Sequence, residues 1–154
     1  MLRASIVLAL VALLLSASTG IASDFGTREE AVAMVKRVQE KFKRDGAQAT
    51  FWAVSNQSIK EFRDRDLYAF VFDLKGLNVA HGARPALVDK NLISLKDQDG
   101  KYLIQEMIRI AIGPGSAWID YKWPNPLTGK IEDKSSYIEK MGDYYFVGVG
   151  VYRF

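Results

Sequence analysis

The sequence contains no cysteine among its 154 residues. This absence excludes disulfide bonds, thiolate metal sites, a cysteine nucleophile and a lipoprotein anchor. Histidine is nearly as scarce: His81 is the only one, so any chemistry that needs an imidazole must use it. The charges form no cluster either, because 21 basic and 18 acidic side chains are spread through the chain. Without a dense block of lysine and arginine, a nucleic-acid partner is not expected.

Long apolar runs are missing as well, except near the N-terminus. Residues 6–15 are apolar throughout, Arg3 precedes them, and small residues follow up to Ala22. The run is about half of the roughly 20 residues that a membrane-spanning helix needs, and its flanks are typical of a secretory signal peptide. We therefore predict a signal peptide at residues 1–22 and one domain at residues 23–154. The protein would be periplasmic or secreted, and not integral to the membrane if the peptide is cleaved; an uncleaved anchor is the alternative.

The predicted mature chain opens with its clearest helix. Thr27 can cap the N-terminus while Glu30 reaches back to it, and apolar residues then recur at helical spacing. Asp45 and Gly46 are expected to end this helix. A mixed segment with one or two short helices is expected to follow, as far as Asn56.

The rest of the chain changes its period to that of strands, with one further helix. Apolar residues at helical spacing predict a second helix within residues 101–113, closed by a Gly-Pro-Gly turn. Alternating and β-rich runs predict five strands, at residues 67–73, 77–82, 117–123, 134–139 and 144–152. Helix, two strands, helix and three strands in this order favour an α+β fold with an antiparallel sheet of about five strands.

None of the short motifs defines a catalytic or metal site. His81 ends the second strand, where a structural role is as expected as a functional one, and no further ligands stand at metal-binding spacing. The stretch "DQDGK" at residues 97–101 resembles a fragment of a calcium loop but lacks its later carboxylates, which favours a helix-capping turn. The stretch "GVGVY" at residues 148–152 lies in a strand pattern, so its glycines indicate a bulge or a close approach of the backbone.

The strand at residues 117–123 offers a candidate ligand wall. Alternation places Ile119, Tyr121 and Trp123 on one face, and aromatic rings with a polar tip suit the wall of a small-molecule site. On the following strand Lys134 and Ser136 share a face, so they can join Tyr121 and Trp123 across the ladder. Together these residues would recognise an anion such as a carboxylate. The alternative is that Lys134 reaches solvent while the aromatics only fill the core.

Several motifs, in order, resemble one family. The stretches "DLYAFVFDLKGLNVAHG", "LVDKNLISLKDQDGKYLIQEMI", "WIDYKWPNPLTGKIEDKSSYIEK" and "VGVGVY" are similar to successive blocks of the single Cache domain of type 2. The resemblance covers residues 27–152. It implies a PAS-like fold in which a long N-terminal helix packs on an antiparallel sheet. It also implies an extracytoplasmic sensor domain, here in a stand-alone secreted form, whose relatives bind small molecules, commonly short organic acids.

The resemblance also implies which residues meet the ligand. By position in the "AHG", "DYKW" and "DKSSY" motifs and at the start of the first predicted strand, these are Tyr68, His81, Tyr121, Trp123, Lys134 and Ser136. Two positions depart from the family pattern, which often has glycine at Asp89 and proline at Asp133. Aspartate tolerates the left-handed turn that a glycine would make. The charge of Asp133 bears on the class of ligand.

The sequence leaves three functional readings open. In the first, the domain binds a small molecule such as a short carboxylate. It signals through a separate partner such as a membrane sensor or transporter, because the chain ends directly after its last predicted strand. The second is a small periplasmic enzyme that uses His81 with Asp120 or Asp133. The third is an assembly module with a vestigial pocket. We predict no catalysis, no cofactor and no bound metal.

Overall fold

A computed structural model describes residues 24–152, so the predicted signal peptide lies outside the described residues. The first element, helix α1 (Arg28–Ser55), begins where the capping box predicts. The Glu30 backbone N–H donates to the Thr27 hydroxyl at 3.2 Å, and the Thr27 N–H donates to the Glu30 carboxylate at 2.8 Å. Two of the N–H groups that a helix start leaves without partners are thereby satisfied.

The prediction that Asp45 and Gly46 end this helix is wrong in one respect. Gly46 does leave the helical conformation, with φ 80° and ψ 177°, but the chain kinks there and resumes its helical path to Ser55. Only glycine adopts such a backbone conformation readily. The helix resumes because its second part also buries residues against the sheet, among them Thr50, Ala53 and Val54.

Within residues 24–152 the sheet has six antiparallel strands, where about five were predicted. They are β1 (Arg63–Asp64), β2 (Leu67–Asp73), β3 (Asn78–His81), β4 (Ser116–Pro124), β5 (Ile131–Met141) and β6 (Tyr145–Val151). The strand order is β1-β2-β6-β5-β4, and β3 also pairs with β2. The unpredicted strand β1 has only two residues, which is too short to show a period in the sequence. The predicted α+β class and antiparallel pairing are confirmed.

The sheet is covered on both faces. Helix α1 packs on one face, and helix α2 (Leu103–Ile112) packs on the other together with the loop at residues 82–102. Alternation along β2 divides the core, because Val71 belongs to the α1 side whereas Phe70 and Phe72 belong to the α2 side. Neither helix within the described residues is both long and apolar enough to cross a bilayer.

The loop at residues 82–102 runs back along the β2–β3 hairpin. Asp89 has φ 65°, the left-handed conformation that aspartate tolerates better than most residues. Its backbone N–H donates to the Asn78 carbonyl at 2.9 Å, and the Asn78 N–H donates to the Lys90 carbonyl at 2.9 Å. The loop is therefore held to β3 by backbone hydrogen bonds, and it brings Leu87 over the sheet.

The "DQDGK" stretch forms a turn, as predicted, but this turn does not cap a helix. Asp97 Oδ1 accepts hydrogen bonds from the backbone N–H groups of Asp99 at 3.0 Å and Lys101 at 2.9 Å. Helix α2 begins only at Leu103, and its cap position Tyr102 has no side-chain hydrogen bond. The Asp97 carboxylate also accepts the backbone N–H of Lys122 at 3.2 Å, so the turn is attached to strand β4.

Candidate functional site

A cavity lies between the sheet and its covering elements, on the α2 side. It encloses about 280 Å³, counting its open mouth. Strands β2 to β5 form its sheet side, while α2 and the loop at residues 82–102 close it. Five of the six residues predicted as ligand contacts line it: Tyr68, His81, Tyr121, Trp123 and Lys134. The fold thus brings together residues that are up to 66 positions apart in the sequence.

Lys134 is the most unusual residue of the cavity. Strand β5 places it directly across from Tyr121 on β4, and only 1% of it is exposed. Its Nζ atom has no hydrogen-bond partner within residues 24–152. It lies over three aromatic rings, 3.9 Å from the centroid of Tyr68, 4.9 Å from that of Tyr152 and 5.6 Å from that of Phe70.

Burial therefore determines the ionisation of Lys134. It holds the pKa of the ammonium well below 10.5, against the smaller opposing effect of the negative charge of Asp66. The rings stabilise the charged form through their electron-rich faces, but they supply no hydrogen bond. The alternative that Lys134 reaches solvent is wrong, because the side chain lies over strand β6 at Gly150 and ends in the cavity.

The glycines of "GVGVY" make room for this arrangement. A Cβ atom at Gly150 would overlap Lys134 Cε and Ser136 Oγ, and one at Gly148 would overlap the ring of Phe70. Strand β6 runs beside β5 with Gly150 opposite Ser136. The close approach that the sequence indicated is therefore an approach of side chains from the neighbouring strands, and it is what admits the stem of Lys134.

His81 is held in one tautomer. Its Nδ1 accepts hydrogen bonds from the backbone N–H groups of Ala83 at 3.2 Å and Arg84 at 2.9 Å, so the ring proton is on Nε2. Burial, assisted by the positive charges of Lys134 and Arg84, lowers the pKa of His81 to about 3. The imidazole is thus neutral near neutral pH. No described residue accepts the Nε2 proton, and the ring lines the cavity.

The hydroxyl protons of Tyr68 and Tyr152 are already committed to hydrogen bonds within the protein. The Tyr152 hydroxyl donates to the Pro124 carbonyl at 2.8 Å, so in its 3.0 Å contact with the Tyr68 hydroxyl it accepts the proton of Tyr68. The Tyr68 proton is therefore already used. Burial raises the pKa of Tyr68 to about 12 and raises that of Tyr121 as well, so both remain phenols.

Ser136 lies behind the cavity wall rather than on its surface. Its Oγ is 2.9 Å from the Tyr121 hydroxyl, and it is completely buried. It orients Tyr121 from behind. Trp123 stands nearer the mouth, in edge contact with Tyr121 at 6.2 Å between ring centroids, and the Arg84 guanidinium lies 5.9 Å from its ring centroid. A second cation therefore stands near the entrance.

Other lining residues were not predicted. They are the apolar side chains Phe70, Phe72, Leu87, Leu103 and Met107. Phe70 and Phe72 alternate with Tyr68 along β2, so the period of that strand could have found them. Leu103 and Met107 are four residues apart on α2, which puts them on one helix face. Leu87 belongs to the loop, where no sequence period places a side chain.

The carboxylates proposed for an enzyme do not reach the cavity. Asp120 accepts a hydrogen bond from Ser135 Oγ at 2.6 Å, and Asp133 forms an ion pair with Lys122 at 2.8 Å. Both lie on the other face of the sheet, away from His81, as the alternation of β4 and β5 requires. No group of three histidine, aspartate or glutamate side chains within residues 24–152 is arranged to hold a metal.

A covered antiparallel sheet with a cavity on its α2 side defines the class: an α+β domain with a cavity between its sheet and the elements that cover it. The family model for the Cache domain, in its type 2 form, matches residues 27–154. The chain therefore belongs to the Cache domain family, as the ordered sequence motifs indicated.

Two much longer proteins are related to the chain by sequence. The chain is 37% identical over 89 residues to the sensor histidine kinase MctS of Rhizobium johnstonii, and 32% identical over 90 residues to the methyl-accepting chemotaxis protein McpP of Pseudomonas putida. These matches cover 57% and 58% of the chain. They cover only 19% and 16% of the kinase and the chemotaxis protein, so the chain corresponds to a small part of each.

Solved structures share the fold over most of their length. A methyl-accepting chemotaxis protein from Vibrio parahaemolyticus aligns with a TM-score of 0.68 and 25% identity, over 80% of this chain and 86% of that one. A periplasmic sensor domain of a chemotaxis protein aligns with a TM-score of 0.64 and 27% identity, over 82% and 90%. A Cache chemosensory domain described for its recognition of carboxylic acids aligns with a TM-score of 0.61, over 82% and 88%; at 22% identity this shows the fold.

Proposed function

We propose that this domain is an extracytoplasmic sensor module that binds a small organic acid in the Lys134 cavity and passes the signal to a separate partner. The observation that carries the proposal is the Nζ atom of Lys134, buried and without a hydrogen-bond partner within residues 24–152. A buried amine of this kind is costly unless something pairs with it. A ligand carboxylate would supply both the charge and the hydrogen bond.

The donors around Lys134 favour a carboxylate over a neutral ligand. Lys134 can donate from Nζ, and His81 can donate from Nε2, because its Nδ1 is occupied by backbone N–H groups. The Tyr68 proton is already used by Tyr152. Two donors of this type match the two oxygens of one carboxylate, and a charge-assisted hydrogen bond contributes roughly 1.5 to 3 kcal/mol.

The rest of the cavity favours a ligand that is short and apolar beyond its acid group. Phe70, Phe72, Leu103 and Met107 surround the space away from Lys134. The space left between these side chains is small, so a short ligand suits it better than a bulky one. A neighbour with the same fold is described for its recognition of carboxylic acids, which agrees with this class of ligand. The proposal is for binding without catalysis, because Asp120 and Asp133 lie on the sheet face away from His81.

Matched acid and amide pairs test the charge of the ligand directly. Melting curves of the protein would be recorded with acetate and acetamide, propionate and propionamide, and lactate and lactamide. A ligand at about 100 times its dissociation constant adds roughly 2.7 kcal/mol to the stability of the folded state. We expect a shift with an acid and none with its amide.

Two lysine variants complete the test. Lys134→Met should abolish the shift, whereas Lys130→Met, which removes an exposed lysine on the β4–β5 turn, should retain it. A well-folded protein that responds to none of the acids would instead favour the assembly reading. A response to acid and amide alike would contradict recognition through Lys134.

A further inference from the structure

An arginine stands at the mouth of the cavity without a partner for its charge. Arg84 follows strand β3 in the loop at residues 82–102, and it is exposed. The central carbon of its guanidinium lies 5.9 Å from the ring centroid of Trp123, which lines the cavity. Within residues 24–152 the guanidinium forms no ion pair and no hydrogen bond. Its N–H donors are therefore available to a ligand.

The backbone of Arg84 is held to the cavity in two places. Its N–H donates to His81 Nδ1 at 2.9 Å, and its carbonyl accepts the N–H of Leu87 at 3.0 Å. Both His81 and Leu87 line the cavity. Pro85 comes directly after Arg84 and opens a short 3₁₀ turn, where its ring fixes the backbone. The loop thus presents Arg84 from one side of the mouth, whereas Trp123 belongs to the β4 side.

A carboxylate on the neighbouring strand is engaged elsewhere. Glu132 lies directly across from Trp123 in the β4–β5 ladder. Its Oε2 accepts a hydrogen bond from Asn125 Nδ2 at 2.8 Å, and its Oε1 accepts one from Thr128 Oγ1 at 2.6 Å. Both oxygens are therefore used within the β4–β5 hairpin, and Glu132 does not neutralise the charge of Arg84.

Two basic side chains consequently stand at different depths of one cavity. The Lys134 amine is buried at the sheet, whereas Arg84 is exposed at the mouth. Apolar side chains, among them Leu103 and Met107, line the same cavity. An acid with a carboxylate at each end and methylene groups between them matches this arrangement. A monocarboxylic acid of the same length would place a methyl group where the guanidinium offers hydrogen-bond donors.

We propose that Arg84 is a second ligand contact, which gives short dicarboxylic acids an advantage over monocarboxylic acids of the same chain length. The guanidinium binds the outer carboxylate through charge-assisted hydrogen bonds, and its planar fork matches the two oxygens. Arginine keeps its charge in proteins, so this contact requires no change of protonation. The inference rests on the proposed function, because it takes the inner carboxylate to lie at Lys134.

Calorimetric titration with matched pairs of acids tests this contact. The pairs are malonate and propionate, succinate and butyrate, and glutarate and valerate, in each of which a carboxylate replaces a methyl group. We expect the dicarboxylate to bind about tenfold tighter in at least one pair, as one charge-assisted hydrogen bond allows. Arg84→Gln should reduce that ratio to about one, and Arg84→Lys should restore part of it. Both variants keep the backbone N–H that orients His81.

Lys90→Gln is the matched control, because it removes an exposed positive charge from the same loop and should preserve the ratio. Equal affinities within every pair, a preference that persists in Arg84→Gln, or an equal loss in Lys90→Gln would overturn the inference. Monocarboxylate binding that Lys134→Met abolishes, without any preference for dicarboxylates, would contradict the role of Arg84 alone. Succinate binding that is lost in Arg84→Gln but kept in Lys134→Met would contradict the proposed function.

Discussion

Lys134→Met should stabilise the protein in the absence of ligand while it removes binding. Lys134 buries an amine that has no hydrogen bond, which costs about 1 to 3 kcal/mol. Methionine has a similar unbranched stem and fills the same channel without a polar head. We therefore expect a gain of roughly 1 to 3 kcal/mol, equal to a rise of about 3 to 10 °C in melting temperature for a domain of this size.

The pH dependence of this gain identifies its cause. Burial depresses the pKa of Lys134 in the folded state, so below the unfolded pKa of about 10.5 the unfolded chain binds the proton more readily. The unaltered protein accordingly loses stability through this residue as the pH falls below 10.5. The advantage of Lys134→Met should be larger at pH 7 than at pH 10.

Chemical denaturation of both proteins at these two pH values measures the effect, with Lys130→Met as the control for losing a surface charge. Calorimetric titration with the acid that binds most tightly should show affinity lower by at least tenfold in Lys134→Met, which corresponds to about 1.4 kcal/mol. The reasoning would be refuted if Lys134→Met were less stable than the unaltered protein, or if its gain in stability were the same at pH 7 and pH 10.

Three further substitutions test other parts of the structure. His81→Gln should resist acid better, because a folded pKa of about 3 against 6.5 makes the unaltered protein lose roughly 2 kcal/mol between pH 6.5 and 4.5; equal losses in urea titrations of both proteins would contradict this. Gly150→Ala should displace the Lys134 stem, which would lower the free energy of unfolding by about 1 to 3 kcal/mol and weaken the binding of the acid. An affinity that calorimetry finds unchanged would show that Gly150 does not position Lys134 for binding. Gly46→Ala should cost about 1 to 3 kcal/mol because of its backbone conformation, with ligand affinity intact; denaturation curves that coincide with those of the unaltered protein would argue against the kink.

The elements with strong local signals were predicted well. The capping box at Thr27, the antiparallel strands and the face shared by Tyr121 and Lys134 follow from spacing alone, and all are present. The end of α1 was misjudged because Gly46 is a local signal, whereas the burial of Thr50 and its neighbours against the sheet is a tertiary one.

The cavity was only partly predictable, for a related reason. A lysine is almost always near water, and nothing local in "EDKSSY" reveals that Gly150, on another strand, leaves room for its stem. The burial of Asp66 was not predicted either, because its hydrogen-bond donor, the Gly26 N–H, is 40 residues away in the sequence. The family motifs named five of the lining residues, but the charge relations among them required the fold.

The turn at residues 97–101 also affects how separate copies of the domain meet. Strand β4 is the last strand of the sheet, and an uncovered edge of nine residues can pair with a strand of another molecule. Here Asp97 accepts the outward N–H of Lys122, and Lys101 donates to the outward carbonyl of Asp120. Asp97, one of the two aspartates that resembled a calcium loop, thus occupies the middle of the edge together with Lys101, and this contact opposes strand-to-strand aggregation.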